Sequence, residues 1–93
     1  MTIQTAADIV GANAKVAIST TQGQFARRLW LAATGGTARF GDTNVSATRG
    51  TSLAASTVTQ FAASEADITD RLDLTQAFLY VPTGTTVSVT WAT

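Results

Sequence analysis

The chain has 93 residues, 45% of them hydrophobic, and its six basic and six acidic side chains cancel to a formal net charge of zero; it contains no cysteine and no histidine. Disulfides and a thiolate or imidazole zinc site are thereby excluded, and a chain of this length buries a core that leaves only a thin stability margin. Association with copies of itself or with a larger body is the reinforcement that remains for so small a domain.

Only 13% of residues are charged, and Arg27-Arg28 is the one adjacent basic pair. A nucleic-acid binder needs a basic stripe that displaces counterions, so nucleic acid is not an expected partner. No apolar run approaches the ~20 residues that cross a bilayer, and no basic segment followed by an apolar one opens the chain. Neither a membrane span nor a secretory leader is expected.

Threonine supplies about a fifth of the sequence, and valines and aromatics gather in short runs, the bias of pleated, half-buried strands. Residues 1–12 read as an N-terminal arm or a single turn. From Asn13 to Thr20 the alternation points Val16 and Ile18 the same way, as in a strand with one inward face. Phe25 to Ala33 is the most apolar strand, with Phe25, Leu29 and Leu31 on one side and Arg28, Trp30 and Ala32 on the other. Thr34-Gly35-Gly36-Thr37 then predicts a tight hairpin turn, because paired glycines tolerate positive φ. Thr37 to Phe40 is the expected returning strand, followed by a turn over Gly41-Asp42-Thr43-Asn44.

A further strand is expected from Thr57 to Phe61. Ser64 with Asp67 resembles a capping box and predicts one short helical turn. Ala77 to Val81 forms a strand that Pro82 stops, since proline cannot donate to a ladder. In Thr85 to Ala92 the alternation sends Val87, Val89 and Trp91 inward and Ser88, Thr90 and Ala92 outward. Ala77 to Thr93 is therefore expected to close the domain as an antiparallel hairpin. The fold class is all-β: a compact antiparallel β-sandwich or jelly roll over residues 13–93, with at most one short helical turn.

General acid-base work near neutral pH is done most often by histidine, and the strongest nucleophile is cysteine; both are missing, so the chain is not expected to be an enzyme. Glu65, Asp67, Asp70 and Asp73 cluster, but without the interleaved glycine of a calcium loop, and they read as capping and solvated surface. Lys15 reads as surface. Gly35-Gly36 lacks the Lys-Ser or Lys-Thr of a phosphate loop. Trp30, Tyr80 and Trp91 could stack on a sugar, although aromatics in small β domains more often pack or anchor interfaces. Arg27 and Arg28 should point to opposite faces, which places one on the core side or at a rim where an intersubunit salt bridge could pair it. No cofactor and no metal are expected.

The segment Arg39-Phe40-Gly41-Asp42-Thr43-Asn44-Val45-Ser46-Ala47-Thr48-Arg49-Gly50-Thr51-Ser52-Leu53-Ala54-Ala55, then Leu72-Asp73-Leu74, then Phe78-Leu79-Tyr80-Val81-Pro82-Thr83-Gly84-Thr85-Thr86-Val87-Ser88-Val89-Thr90-Trp91, resembles small structural proteins of tailed bacteriophages. The chain departs from their pattern at Ala54-Ala55-Ser56, where a glycine is favoured after alanine. The resemblance implies a virion component, foremost a capsid decoration or cement protein, made in the bacterial cytoplasm and seated on the outer surface of the head. Its partners would be the major capsid protein and copies of itself, with a trimer favoured. Contact residues are then expected in the N-terminal arm, including Ile3 and Ile9, and at Arg28, Trp30 and Tyr80. A tail or head-tail connector module and a carbohydrate-binding β domain are the alternatives.

Overall fold

The computed structural model describes residues 2–62 and 71–93. Eleven strands follow one another among them: β1 (Ile3–Thr5), β2 (Ile9–Val10), β3 (Ala14–Ala17), β4 (Phe25–Ala26), β5 (Arg28–Thr34), β6 (Ala38–Gly41), β7 (Thr51–Leu53), β8 (Thr57–Ala62), β9 (Leu72–Asp73), β10 (Phe78–Val81) and β11 (Thr86–Ala92). One sheet has the order β1-β11-β5-β8, with β2 also on β11; the second has the order β3-β10-β6-β7; β4 and β9 form a small ribbon. The fold is the all-β antiparallel sandwich that the alternation predicts, and no helix occurs among the described residues. The Ser64 and Asp67 turn lies outside them.

Register explains the core. Leu29, Leu31 and Ala33 of β5 stand beside Trp91, Val89 and Val87 of β11, and all six are buried. Opposite them the second sheet contributes Leu79, Val81, Ala38 and Leu53, also buried. Each fully buried leucine or valine contributes about 1.5–3 kcal/mol of transfer free energy. Phe40 and Phe61 pack against this cluster from its margin.

The predicted strands over Thr57 to Phe61, Ala77 to Val81 and Thr85 to Ala92 are present, but two expected hairpins are not. β5 pairs with β11 and β8, whereas β6, just beyond Gly35-Gly36, pairs with β10 and β7 in the other sheet. Likewise β10 and β11 lie in different sheets. Each glycine turn therefore carries the chain across the sandwich instead of folding it back within one sheet.

A third crossing, at Gly11 between β2 and β3, lies against the second. The Gly11 N–H donates to the Thr85 carbonyl at 2.8 Å, and a Cβ on Gly11 would lie 1.8 Å from the Pro82 carbonyl oxygen. On Gly35 it would lie 2.3 Å from the Gly84 oxygen, and on Gly36 2.4 Å from the Thr85 hydroxyl. Only side chains reduced to hydrogen let the three crossings nest at one end. Asn13, at φ 55°, fastens the stack by accepting from the Thr83 N–H at 2.9 Å.

Four smaller expectations also change. The N-terminal stretch is neither a free arm nor a turn: β1 and β2 both add to β11, because that strand's outer edge offers unpaired donors and acceptors. Phe25 is exposed and Ala26 buried, since the strand breaks at Arg27, whose N–H turns to the Ala92 carbonyl at 2.8 Å. The break shifts the alternation by one residue, so Phe25 does not share a face with Leu29. Ala92 does lie on the outward side but is buried, flanked in register by Ile3 and Arg28. Val16 shares the inward side with Leu79, yet β3 is an edge strand and leaves it exposed.

Candidate functional site

Directly opposed residues of an antiparallel pair point to the same side of the sheet, so register alone maps the two outer faces. On the first sheet the outward rows are Ile3, Ala92, Arg28 and Ala62; Thr5, Thr90, Trp30 and Gln60; Ser88, Ala32 and Val58; and Val10, Thr86 and Thr34. Val10 is 73% exposed, Ile3 65% and Val58 64%. These values are the highest among the large hydrophobic side chains of the described residues, and all three belong to this one face. Trp30, half-buried, lies between them on β5.

The outward rows of the second sheet differ in chemistry. Lys15, Tyr80, Arg39 and Ser52 form one row, and Ala17, Phe78 and Gly41 the next. The Lys15 ammonium lies 6.0 Å from the centroid of the Phe78 ring, within cation-π range, and donates to the Thr43 carbonyl. Arg39 donates from Nε to the Ala47 carbonyl and from Nη1 to the Gly50 carbonyl, both at 3.0 Å. Backbone carbonyls of the 42–50 loop thus aim two cations on either side of Tyr80.

Ile3, Arg28 and Trp30, expected as contact residues, are brought together on the first face. Ile9 is not with them: it stands opposite Val87 and packs against the core, while its neighbour Val10 faces out. Tyr80 belongs to the opposite face. Val58 escaped the sequence reading, and Val10 entered it only as part of the N-terminal arm. In β8 each side of the alternation carries one large apolar residue, Val58 or Phe61, so periodicity cannot say which is inward. For Val10 the signal was its adjacency to Ile9, which in a strand forces one of the two outward.

A cleft of about 320 Å³ opens at one margin of the sandwich, with Arg27, Arg28 and Arg71 beside Phe40 and Phe61. Arg27 and Arg28 are both half-buried at its rim, and both already hold interactions. Asp73 serves a local turn, where one carboxylate oxygen accepts from the Thr75 N–H at 3.0 Å and the Thr75 hydroxyl at 2.8 Å. Glu65, Asp67 and Asp70 lie outside the described residues, among which no group of three or more acidic side chains is gathered as a metal site would need. Trp91 is buried, so Trp30, Tyr80 and Trp91 occupy one outer face, the other outer face and the core. They do not form a common stacking platform.

No protein-family model, no curated protein and no solved structure matches the chain.

Proposed function

We propose that the protein is a structural component of a tailed-bacteriophage virion, of the capsid decoration or cement type. In this reading it is a non-catalytic sandwich that binds across neighbouring coat subunits on the outer surface of the head, together with copies of itself. The observation that carries the proposal is the pair of unlike outer faces: a largely apolar one with exposed Ile3, Val10 and Val58 around Trp30 and Arg28 as its one outward charge, and one that sets Lys15 and Arg39 about Tyr80. A clamp needs two contact surfaces, and unlike chemistry suits them to unlike partners. The cationic face is the one assigned to the coat.

Ser56 adds support to the resemblance. It adopts φ 62°, a conformation in which glycine is at ease, at the position where the phage proteins favour glycine. The mechanism is additive: many copies, each of modest affinity, hold the shell through multivalent contact. The separation of the three large aromatics ranks a carbohydrate-binding role below this one.

The test is a titration of the protein onto purified expanded heads of the phage that encodes it. Saturable binding in many copies per head, with a rise in the temperature at which heads release DNA, is the expected result. Absence from heads, with a few copies found on tails or at the neck, would replace the proposal by the tail or connector reading.

A further inference from the structure

Three of the chain's five arginines, Arg27, Arg28 and Arg71, line a single cleft of about 320 Å³. We propose that this cleft binds a small organic anion, a phosphate or carboxylate carried on a flat apolar ring. The site lies at the margin between the two sheets, and of its three cations only Arg28 also belongs to an outer face. It therefore does not depend on the assembly reading above.

Charge selects the anion. No acidic side chain stands among the described residues that line the cleft, and Asp73, next to Leu72 in the chain, turns its carboxylate to Thr75. A concave surface that gathers cations beside apolar walls focuses their field on the space between them. Arg27 and Arg28 already hold interactions, which is compatible with a ligand contact because a guanidinium carries five N–H donors. Arg71 is exposed, and its side chain makes no hydrogen bond or ion pair with another described residue. Its planar fork matches both oxygens of a carboxylate or two of a phosphate.

The lining selects the ring. Buried Ala26 and Leu29 and half-buried Phe40, Phe61 and Leu72 supply most of the remaining surface. The two phenyl rings, with centroids 4.4 Å apart, offer a wall on which a third ring packs by its face or its edge. Small-molecule sites combine such a mostly apolar lining with a few convergent polar groups, in volumes of roughly 300–1,000 Å³. At about 320 Å³ the cleft is at the small end of that range, enough for one ring and its anionic group.

The experiment is an NMR titration of the isotope-labelled chain with phenyl phosphate and, separately, with benzoate. Inorganic phosphate and benzyl alcohol supply each half of the ligand alone. At least one of the two whole probes should bind with a dissociation constant on the order of 1 mM or below, moving the signals of Ala26, Leu29 and the Arg71 side chain. Each half should bind about tenfold more weakly or worse, and the tighter whole probe names the anion. Arg71→Gln changes an exposed side chain, so it should keep the β-sheet circular dichroism while weakening binding about tenfold through the lost charge-assisted contact. Arg49→Gln, an equally exposed cation in the 42–50 loop, should leave binding unchanged. Phe61→Leu should weaken the whole probes about threefold and leave inorganic phosphate unaffected. Signals that stay in place at about ten times the expected dissociation constant would overturn the inference, as would inorganic phosphate that binds as tightly as phenyl phosphate, or binding indifferent to Arg71→Gln. The titration uses the free chain, so its failure leaves the decoration role standing.

Discussion

The rings of Phe40 and Phe61 meet across the sandwich, centroids 4.4 Å apart and planes tilted by 34°. One ring comes from β6 and the other from β8, so the contact ties the two sheets together at the margin where the arginine cleft opens. Phe61→Leu retains most of the apolar volume and loses the ring contact, for an expected cost of about 1 kcal/mol. Phe61→Ala also leaves a void, and should cost about 2 kcal/mol at this partly buried site. Urea denaturation of the two variants checks the difference; equal midpoints for wild type and Phe61→Ala would remove the sheet-tying role.

The nested crossings make an order of sensitivity among glycines. At Gly11 an added methyl would strike the Pro82 carbonyl at 1.8 Å, a backbone atom that cannot step aside, and Gly11→Ala should cost about 3 kcal/mol or prevent folding. Gly35→Ala meets the Gly84 oxygen at 2.3 Å and also has φ 86°. Gly84 has φ 88° but open space around it, so Gly84→Ala carries only the left-handed penalty of about 1–2 kcal/mol. Denaturant midpoints should fall in the order Gly84→Ala, Gly35→Ala, Gly11→Ala, and a reversed order would show that the crossings do not bear on one another.

The strands were legible where one side of the alternation is plainly apolar, as at Val87, Val89 and Trp91. Their partners were not. A Gly-Gly pair reports that the backbone can turn sharply, but not whether the next strand pairs with the last or crosses to the opposite sheet. At Gly35-Gly36 and again at Thr83-Gly84 that decision rests on contacts between turns far apart in the chain, such as Gly35 against Gly84, which periodicity does not contain. The break at Arg27 is equally silent in sequence, and it moves Phe25 to the surface. For the outer faces, the identity of Trp30 and Ile3 as contact candidates was readable from residue type. Their union with Val10 and Val58 on one face required the register.

Ser56 is a place where the chain can be improved. Its φ of 62° costs a residue with a Cβ about 1–2 kcal/mol, part of which glycine regains at the expense of a looser unfolded chain. Ser56→Gly should therefore raise stability by about 0.5 kcal/mol, a shift of a few degrees in melting temperature for a domain of this size. The position adjoins the link between β7 and β8, where the Ser56 N–H reaches the Ala33 carbonyl at 2.8 Å. Calorimetry decides the matter, and a lowered melting temperature would mean that the backbone at this turn is not strained.

The two outer faces should respond oppositely to salt. In the proposed role, a contact made through Ile3, Val10, Val58 and Trp30 is driven by apolar burial, which salt does not screen. In the same role, attachment to the coat through Lys15 and Arg39 is steered by charge, and at the ~8 Å screening length of physiological salt it should weaken as ionic strength rises. Lys15→Gln is the cleaner probe of the two, because Lys15 holds one carbonyl of the 42–50 loop, that of Thr43, whereas Arg39 holds two, those of Ala47 and Gly50. The variant should bind heads about fivefold less tightly, with slower association, a smaller salt dependence and an unchanged mass in solution. Head binding indifferent both to salt and to Lys15→Gln would move the coat contact away from the second sheet, since no other row of that face carries a cation.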